Sequence, residues 1–266
     1  MLYTLGHNQW SHLTFEEWRR SMLSTMASRP SGDGLPRSVF NRSVDVSMDV
    51  DWQEKGAVTE VKTQGNCESC YSFATTGAVE GISFIEHGRL LDLSEQMIVS
   101  CDALDNGCAT GLMDNAFAWI NSVGGLCSES DYPYVSGDGS VPACDNTRCS
   151  VQSNTLVTSA VDVPPIEPML ATALMQQPIA VGIDAACEEL MRYSAGIYET
   201  DCGVDVNHAV LAVGFGLDLL TEFWKVKNSW GTTWGEGGYV RMRRGLRADQ
   251  TGICSIATRA SYPTLA

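Results

Sequence analysis

The chain has 266 residues and a formal net charge of −15 at pH 7, with 44% hydrophobic and 18% charged residues. This length is sufficient for one large domain or for two small lobes with buried cores. The acidic balance, with a pI of about 4.5, argues against nucleic-acid binding, and no apolar run reaches the roughly 20 residues that a transmembrane helix needs.

Residues 1–44 are polar, have few apolar periodicities and contain a Pro- and Gly-rich loop signal at 29–36. We therefore expect an appendage rather than a part of the core. Met1-Leu2-Tyr3 does not open a signal peptide, so we expect the N-terminus either to lie inside a longer precursor or to be a trimmed end. Asn41-Arg42-Ser43 has the pattern of an N-glycosylation acceptor, which is weak support for a secreted chain.

The middle of the chain has the pattern of helices. Ser69 can cap a helix with an apolar face that Gly88 ends. Further helices are expected at 94–99, 113–122 and 166–177. Strand-like runs with β-branched and aromatic residues follow at 179–184, 209–214, 223–227 and 238–243. A helical half followed by a strand-rich half predicts an α+β fold with two lobes and a site between them.

Ten cysteines are spread along the chain and are not set in paired zinc-binding spacings. This pattern favours disulfides and an oxidising compartment. Cys67-x-x-Cys70 has several interpretations. A thioredoxin-type redox pair would need a βαβ context, and none precedes the motif. A zinc knuckle would need a second close Cys/His pair, and none follows at the usual spacing. From the motif alone, a catalytic Cys70 and two structural cysteines stay open as alternatives.

Cys70 falls on the first turn of the expected helix, where the helix N-terminus stabilises a thiolate. His208, one of four histidines, begins a strand-like run, and alone it would more often be structural. The amide oxygen of Asn228 can accept a hydrogen bond from the imidazole and fix its orientation. Trp230 and Trp234 could exclude water from that bond, or simply pack in the core.

The sequence resembles the papain-like cysteine peptidases, the family of the lysosomal cathepsins, from about residue 8 to residue 263. The matching pieces are Asp51-Trp52, Gly56-Ala57-Val58, the block 64–73, Ser94-Glu95-Gln96, Gly107-Cys108, Tyr132-Pro133-Tyr134, the strand that His208 begins, and the block 228–239. The resemblance implies an endopeptidase with a helical lobe (45–160) and a β-barrel-like lobe (161–266). It implies Cys70 as nucleophile, His208 as base, Asn228 as its orienting group and Gln64 as oxyanion donor. No metal and no cofactor are implied.

The family pattern also implies disulfides. It pairs Cys67 with Cys108, Cys101 with Cys144, and Cys202 with Cys254. Cys127 and Cys149 are additional, and we expect them to pair with each other. This scheme leaves Cys70 and Cys187 as free thiols.

Residues 1–44 resemble the end of a family propeptide, on the basis of Asn8-Gln9-Trp10-Ser11 and Glu16-Glu17-Trp18. The resemblance implies that residues 20–44 run through the cleft in a direction that prevents cleavage, and that maturation cuts between Val44 and Ser47. The implied partners are protein or peptide substrates, the chain's own propeptide as inhibitor, and cystatin-like inhibitors. We expect a monomer that is secreted or delivered to a lysosome or vacuole, with no nucleic-acid partner.

By the same resemblance, a set of residues lines the substrate cleft: Glu68, Gly111, Leu112, Met113, Gly182, Val206, Asn207, Trp230 and Arg259. Glu68 stands where the family usually has glycine, and it either points to solvent or favours a basic residue at P1, the residue that donates the scissile carbonyl. Arg259, at the floor of the S2 pocket, either extends outward or accepts an acidic P2 residue in an otherwise apolar pocket.

Two other classes of function compete with an active peptidase. One is a catalytically inactive binding protein on the same fold, which would usually lack the nucleophile or the base. The other is a redox protein that uses Cys67 and Cys70, which would require reversible pairing of those two residues.

Overall fold

A computed structural model of the chain describes residues 2–24, 26, 36–40 and 49–266. The expected glycosylation acceptor, most of the loop signal and the expected maturation site lie outside the described residues. The helices are α1 (Phe15–Met22), α2 (Cys70–His87), α3 (Glu95–Cys101), α4 (Met113–Val123), α5 (Glu167–Leu174) and α6 (Glu188–Met191). The strands are β1 (Tyr3–Leu5), β2 (Arg37–Val39), β3 (Val50–Asp51), β4 (Val157–Val163), β5 (Ile179–Ile183), β6 (Tyr193–Tyr198), β7 (His208–Asp218), β8 (Thr221–Lys227), β9 (Tyr239–Arg243) and β10 (Arg259–Leu265).

The ten strands form one sheet in the order β1-β6-β9-β8-β7-β5-β10-β4-β2, and β3 also pairs with β7. Most neighbours are antiparallel, whereas β6 with β9 and β2 with β4 are parallel. Helices and a large sheet together confirm the α+β class. Among the described residues the end strands β1 and β2 do not pair with each other, so the sheet is open where the resemblance implied a barrel-like lobe. Strand β4 also crosses the expected lobe boundary at residue 160.

Helix α2 is the central helix, and small residues allow it to pack closely against the sheet. A Cβ atom on Gly77 would lie 2.7 Å from a methyl carbon of Leu211 on β7, so a larger residue there would have to displace the Leu211 side chain. Gly88 ends the helix in a left-handed conformation with φ 72°, as predicted. Ser69 is at the N-cap position, but its hydroxyl bonds to Tyr134 instead of capping the helix.

The other predicted elements are present with shifted ends. Helix α5 ends at Leu174, before the expected end at residue 177, and β7 extends past the glycine at 214 to Asp218. Strands β4, β6 and β10 were not predicted. Their buried and exposed positions do not alternate strictly, and β10 contains Pro263, which argues against a strand in a sequence.

Buried charges also hold α2 in position. Lys62 donates to Glu95 at 2.9 Å, and Thr76 of α2 donates to the same carboxylate at 2.6 Å. Thr59 donates to Glu80 of α2 at 2.7 Å. Because each of these buried carboxylates has a partner, the cluster fixes the helix rather than destabilising it. Among the described residues, no helix is both long and apolar enough to span a membrane.

The described part of residues 1–44 belongs to the core, contrary to the expected appendage. Trp18 and Met22 of α1 are 0% and 1% exposed, and Tyr3 and Trp10 are also buried. Strand β1 extends the sheet by pairing with β6. This contribution to the core is not evident from the sequence for two reasons. The apolar residues are few, and their partners include distant parts of the chain, as in the contact of Trp18 with Trp230.

Candidate active site

The sulfur of Cys70 lies at the N-terminus of α2, where it meets the beginning of β7. Cys70 is a free thiol and is 2% exposed. Its Sγ accepts a hydrogen bond from the backbone N–H of Ala209 at 3.3 Å. Since Ala209 directly follows His208, the nucleophile predicted from the sequence and the predicted base lie side by side.

The imidazole of His208 is fixed on two sides. Its Nε2 is 2.9 Å from Oδ1 of Asn228, and its ring stacks on Trp230 with centroids 4.7 Å apart. Among the described residues, Nδ1 of His208 has no hydrogen-bond partner. The ring is therefore held by one nitrogen and leaves the other available for proton exchange with a thiol.

Gln64 is fully buried beside this pair. Its Nε2 donates to the carbonyl of Cys67 at 2.9 Å, and its Oε1 accepts from the hydroxyl of Ser229 at 2.7 Å. These bonds fix which end of the amide is the donor, and the second N–H of Nε2 is left for an oxyanion. The next residue after Asn228 thus orients Gln64, a role that was not predicted.

Burial disfavours the charged forms of both reacting groups in this state. Burial, together with a smaller effect of the charge of Glu68, raises the pKa of the Cys70 thiol to about 11. Burial lowers the pKa of His208 to about 4, against the bond from Asn228, which raises it. With the cleft covered, a neutral thiol and a neutral imidazole are favoured.

The described residues 23, 24 and 26 lie along the cleft. The N–H of Ser24 donates to the carbonyl of Asn207 at 3.1 Å. A Cβ atom on Gly182 would lie 2.6 Å from Val206, 3.3 Å from Cβ of Arg259 and 3.5 Å from the sulfur of Met26. Three residues expected at the S2 wall therefore lie together, and the sulfur of Met26 lies close to Gly182.

Other expected cleft residues are also near the nucleophile. Leu112 and Met113 are buried in the same apolar cluster as Cys70. Gly111 lies against the ring of Tyr71, where an added Cβ would be 2.5 Å from a ring carbon. Arg259 is half-buried and lines a pocket with Val206 and Asn207, and it has interaction partners of its own. The open choice between an outward Arg259 and one that takes an acidic side chain stays a hypothesis.

Four disulfides are present. Three join the expected partners: Cys67 with Cys108, Cys101 with Cys144, and Cys127 with Cys149. The fourth corrects the expectation, because Cys187 is bonded to Cys202 and the free thiols are Cys70 and Cys254. Cys67 is thus not paired with Cys70.

The correction has a simple structural reason. Cys254 still lies beside Cys202, whose N–H donates to its sulfur at 3.3 Å. Cys187, which directly precedes α6, also lies beside Cys202, with 5.3 Å between their Cα atoms. Cys202 can bond to one sulfur only. The sequence pattern places all three cysteines in the chain but does not choose between the two partners.

Among the described residues, no group of three or more His, Cys, Asp or Glu side chains is arranged to hold a metal ion. Tyr134 is a further residue that was not predicted to act at the site. Its hydroxyl donates to the carbonyl of Gln64 at 2.8 Å and bonds to Ser69 at 2.8 Å. The Tyr132-Pro133-Tyr134 motif was the sequence signal that could have identified Tyr134.

A free thiol at a helix N-terminus, beside an imidazole oriented by an amide, defines the class of cysteine hydrolases. Comparison with known proteins gives the family. The papain family cysteine protease profile matches residues 46–264. The chain belongs to that family and is a papain-like cysteine endopeptidase.

Individual relatives agree with this assignment. The chain is 44% identical over 269 residues to cysteine endopeptidase Rep1 of Oryza sativa subsp. japonica, covering 98% of this chain and 71% of that protein. The proform of the Amb a 11 cysteine protease, a ragweed pollen allergen, superimposes with a TM-score of 0.89 at 36% identity, covering 100% of this chain and 83% of that one. Bromelain from Ananas comosus in complex with the E64 inhibitor gives a TM-score of 0.77 at 38% identity, with 82% and 99% covered.

Proposed function

We propose that the chain hydrolyses peptide bonds through a thioester on Cys70, and that residues 1–44 hold it as a truncated zymogen. The observation that carries the mechanism is the position of the Cys70 sulfur beside His208, whose ring is held by Asn228. This position gives a nucleophile, a base with one free nitrogen and an orienting group in contact.

In the proposed reaction, His208 takes the proton of the Cys70 thiol and the sulfur attacks the carbonyl carbon of the substrate. The oxyanion is bound by the second N–H of Gln64 and by the backbone N–H of Cys70. When the C–N bond breaks, His208 gives its proton to the leaving amine. Water then attacks the thioester with His208 as base, which releases the acid and restores the thiol.

The zymogen proposal rests on the residues that cover the site. Ser24 bonds to the cleft wall at Asn207, and Met26 is placed against Gly182 and Val206, where a P2 side chain would bind. Burial under such a cover favours the neutral thiol and imidazole over the reactive ion pair. Removal of the segment would admit water and restore the charged pair.

Substrate class, location and partners follow from the same proposal. Apolar walls at Leu112, Met113 and Val206 suit a hydrophobic P2 side chain, with Arg259 adding tolerance of Glu or Asp.

Four disulfides favour a secretory route ending outside the cell or in a vacuole or lysosome. Protein substrates, the propeptide and cystatin-like inhibitors are the proposed partners of a monomer.

The test is covalent labelling of the processed protein with an epoxide inhibitor of the E64 type, at pH 5–6 with a reductant. We expect one equivalent of label on Cys70, located by peptide mapping, and loss of peptide hydrolysis in step with labelling. Cys70→Ser should abolish both. Cys254→Ser is the matched control, because it removes the other free thiol and should leave labelling intact. An unlabelled Cys70, or hydrolysis that survives Cys70→Ser, would contradict the proposal.

A further inference from the structure

The hydroxyl of Tyr134 lies between the residues that carry the two proposed oxyanion donors. It donates to the backbone carbonyl of Gln64 at 2.8 Å, and it is 2.8 Å from the hydroxyl of Ser69. Gln64 carries the side-chain donor, and Ser69 directly precedes Cys70, whose backbone N–H is the second proposed donor. One phenol hydroxyl therefore joins the two ends of the segment 64–70.

The directions of these hydrogen bonds are fixed by the number of protons available. A phenol has a single hydroxyl proton, and Tyr134 gives it to Gln64, so the hydroxyl of Ser69 must donate to the oxygen of Tyr134. A chain of two hydrogen bonds thus runs from Ser69 through Tyr134 to Gln64. Ser69 and Gln64 are both 0% exposed, so loss of the hydroxyl would leave buried polar groups unsatisfied or force the backbone to move.

The backbone of Gln64 is held on both sides. Its N–H donates to the carbonyl of Ser229 at 2.8 Å, and its own carbonyl accepts from Tyr134. The next residue is Gly65, with φ 62°, a conformation that glycine adopts at little cost and that leaves the chain free to move where nothing else holds it. The bond from Tyr134 therefore restrains the segment just where its own sequence does not.

Tyr134 is itself positioned by the helix that carries the nucleophile. Its ring meets Phe73 of α2 edge to face, with ring centroids 5.0 Å apart, and its backbone N–H donates to Oε1 of Glu129 at 2.8 Å. Phe73 lies three residues after Cys70 on α2. The hydroxyl of Tyr134 therefore keeps a fixed place relative to Cys70.

We propose that Tyr134 is a positioning residue that sets the distance between the oxyanion donors of Gln64 and Cys70. The proposal rests on the peptidase function proposed above. Tyr134 acts through Gln64 and Ser69, and the chemistry at the sulfur of Cys70 is unchanged.

The first measurement is the steady-state kinetics of processed Tyr134→Phe, which loses the hydroxyl and keeps the ring against Phe73. Loss of a whole oxyanion donor costs about 10²–10³ in rate, and a displaced donor loses part of that. We expect kcat to fall about tenfold to thirtyfold while KM changes little. The inhibition constant of a peptide aldehyde, which forms an oxyanion when Cys70 adds to it, should rise by a similar factor.

Tyr132→Phe is the matched control. Tyr132 belongs to the same motif and is buried, and its hydroxyl accepts from the N–H of Asp145 at 3.2 Å, away from the segment 64–70. This variant also loses a phenol hydroxyl, and it should keep the wild-type kcat and aldehyde affinity. An equal loss in both variants would overturn the proposal, because general stability would then explain it.

Alkylation of Cys70 by iodoacetamide separates a displaced oxyanion donor from a damaged nucleophile. This reaction uses the same thiol and imidazole but forms no oxyanion, so its rate and pH profile in Tyr134→Phe should equal those of the wild type. Peptide mapping assigns the label to Cys70 rather than to Cys254. Slower alkylation, in step with the fall in kcat, would mean that Tyr134 acts on the Cys70–His208 pair instead.

A double variant tests the route of the effect. If Tyr134 acts through Gln64, adding Tyr134→Phe to Gln64→Ala should lower kcat by less than about threefold more. A further loss as large as in the wild-type background, or a wild-type kcat in Tyr134→Phe alone, would overturn the positioning role and leave the peptidase function standing. If the processed wild type hydrolyses no peptide and its Cys70 is not alkylated, both proposals fail.

Discussion

At the scale of single residues, the site depends on one side-chain amide whose orientation is fixed by its neighbours. Gln64 accepts from Ser229 and donates to the carbonyl of Cys67, so its remaining N–H is directed without rotation of the amide. Ser229 also donates its backbone N–H to Oδ1 of Asn228 at 2.8 Å. Ser229 therefore connects Gln64 with Asn228.

We expect Gln64→Ala to lower kcat and kcat/KM together by about 10²–10³ while KM changes little, because the lost bond forms only in the transition state. Steady-state kinetics on the processed protein with one fluorogenic peptide measures this. Gln96→Ala is the matched control, since Gln96 is an equally buried glutamine with bonds to Ser136 and Val135. A comparable loss of kcat in both variants would mean that Gln64 acts through stability alone.

At the scale of residues, the sequence predicts some parts of the site and not others. Cys70, His208, Asn228 and Gln64 are each identified from short motifs, and the structure brings them together. The pairing of Cys202 was predicted incorrectly because three sulfurs meet at one place, and their order along the chain does not decide between partners. Ser24 and Met26 were not identified individually, since their role depends on where the chain passes in space.

At the scale of elements, the loop between α3 and α4 contains a pair of carboxyl groups with too few donors. Oδ1 of Asp102 accepts from the N–H of Leu104, and Oδ1 of Asp105 accepts from Leu112 and from Asn115. The Oδ2 atoms of both aspartates are buried, and within the described structure neither has a hydrogen-bond partner. Burial raises the pKa of both groups, that of Asp105 to about 8 with help from the charge of Asp102.

This loop should make the protein less stable as the pH rises. A carboxyl whose folded pKa lies above its ordinary value of 3.8 stabilises the fold while protonated, and that contribution is lost as the pH rises toward the folded pKa of about 8. We therefore expect Tm to fall between pH 5 and pH 8, by about 2–4 °C for each kcal/mol lost. Asp105→Asn keeps both accepted bonds and should reduce the fall, as differential scanning fluorimetry would record.

The control for this prediction is Asp145→Asn, which removes an exposed carboxylate whose pKa is lowered by its bonds to Thr147. It should keep the wild-type fall in Tm. A fall of equal size in Asp105→Asn would show that the pair does not cause the pH dependence. A steep rise in the Tm of the wild type at pH 8 on addition of Ca²⁺ would instead mean that a cation, rather than a proton, holds the two carboxylates.

The helices and strands that were predicted correctly are those with one clear local sequence pattern. A long apolar sequence with a glycine at its end predicts helix α2, and the structure contains the helix and its end at that glycine. Helix α1 has a local signal that was missed, the capping box of Thr14 and Glu17. Strand β1 has three residues and forms because it pairs with the distant strand β6. Tertiary contacts of this kind are not encoded in local periodicity, so the open sheet could not be derived from the sequence.

At the scale of the whole molecule, the N-terminal segment is packed as part of the protein that it covers. Trp18 meets Trp230 edge to face with ring centroids 5.2 Å apart, and Trp230 in turn stacks on the imidazole of His208. Trp10 contacts both Trp18 and Trp230. These contacts therefore connect the segment to His208 through Trp230.

Trp18→Ala should release the segment without changing the enzyme beneath it. Truncation of a buried tryptophan costs about 3–5 kcal/mol, enough to shift a closed-to-open equilibrium by more than about a hundredfold. We expect the rate of epoxide labelling of Cys70 in the unprocessed chain to rise by that factor, up to the rate of the processed protein. Glu16→Ala, on the exposed face of the same helix, is the matched control and should label as slowly as the wild type.

The mature protein obtained from Trp18→Ala has the wild-type sequence, because the substitution leaves with the segment. Its Tm and its labelling rate must therefore equal those of mature wild type, which separates a detached segment from a misfolded core. If the unprocessed variant labels no faster than wild type, the tryptophan cluster does not hold the segment. The cover over Cys70 would then depend on the contacts of Ser24 and Met26 in the cleft itself.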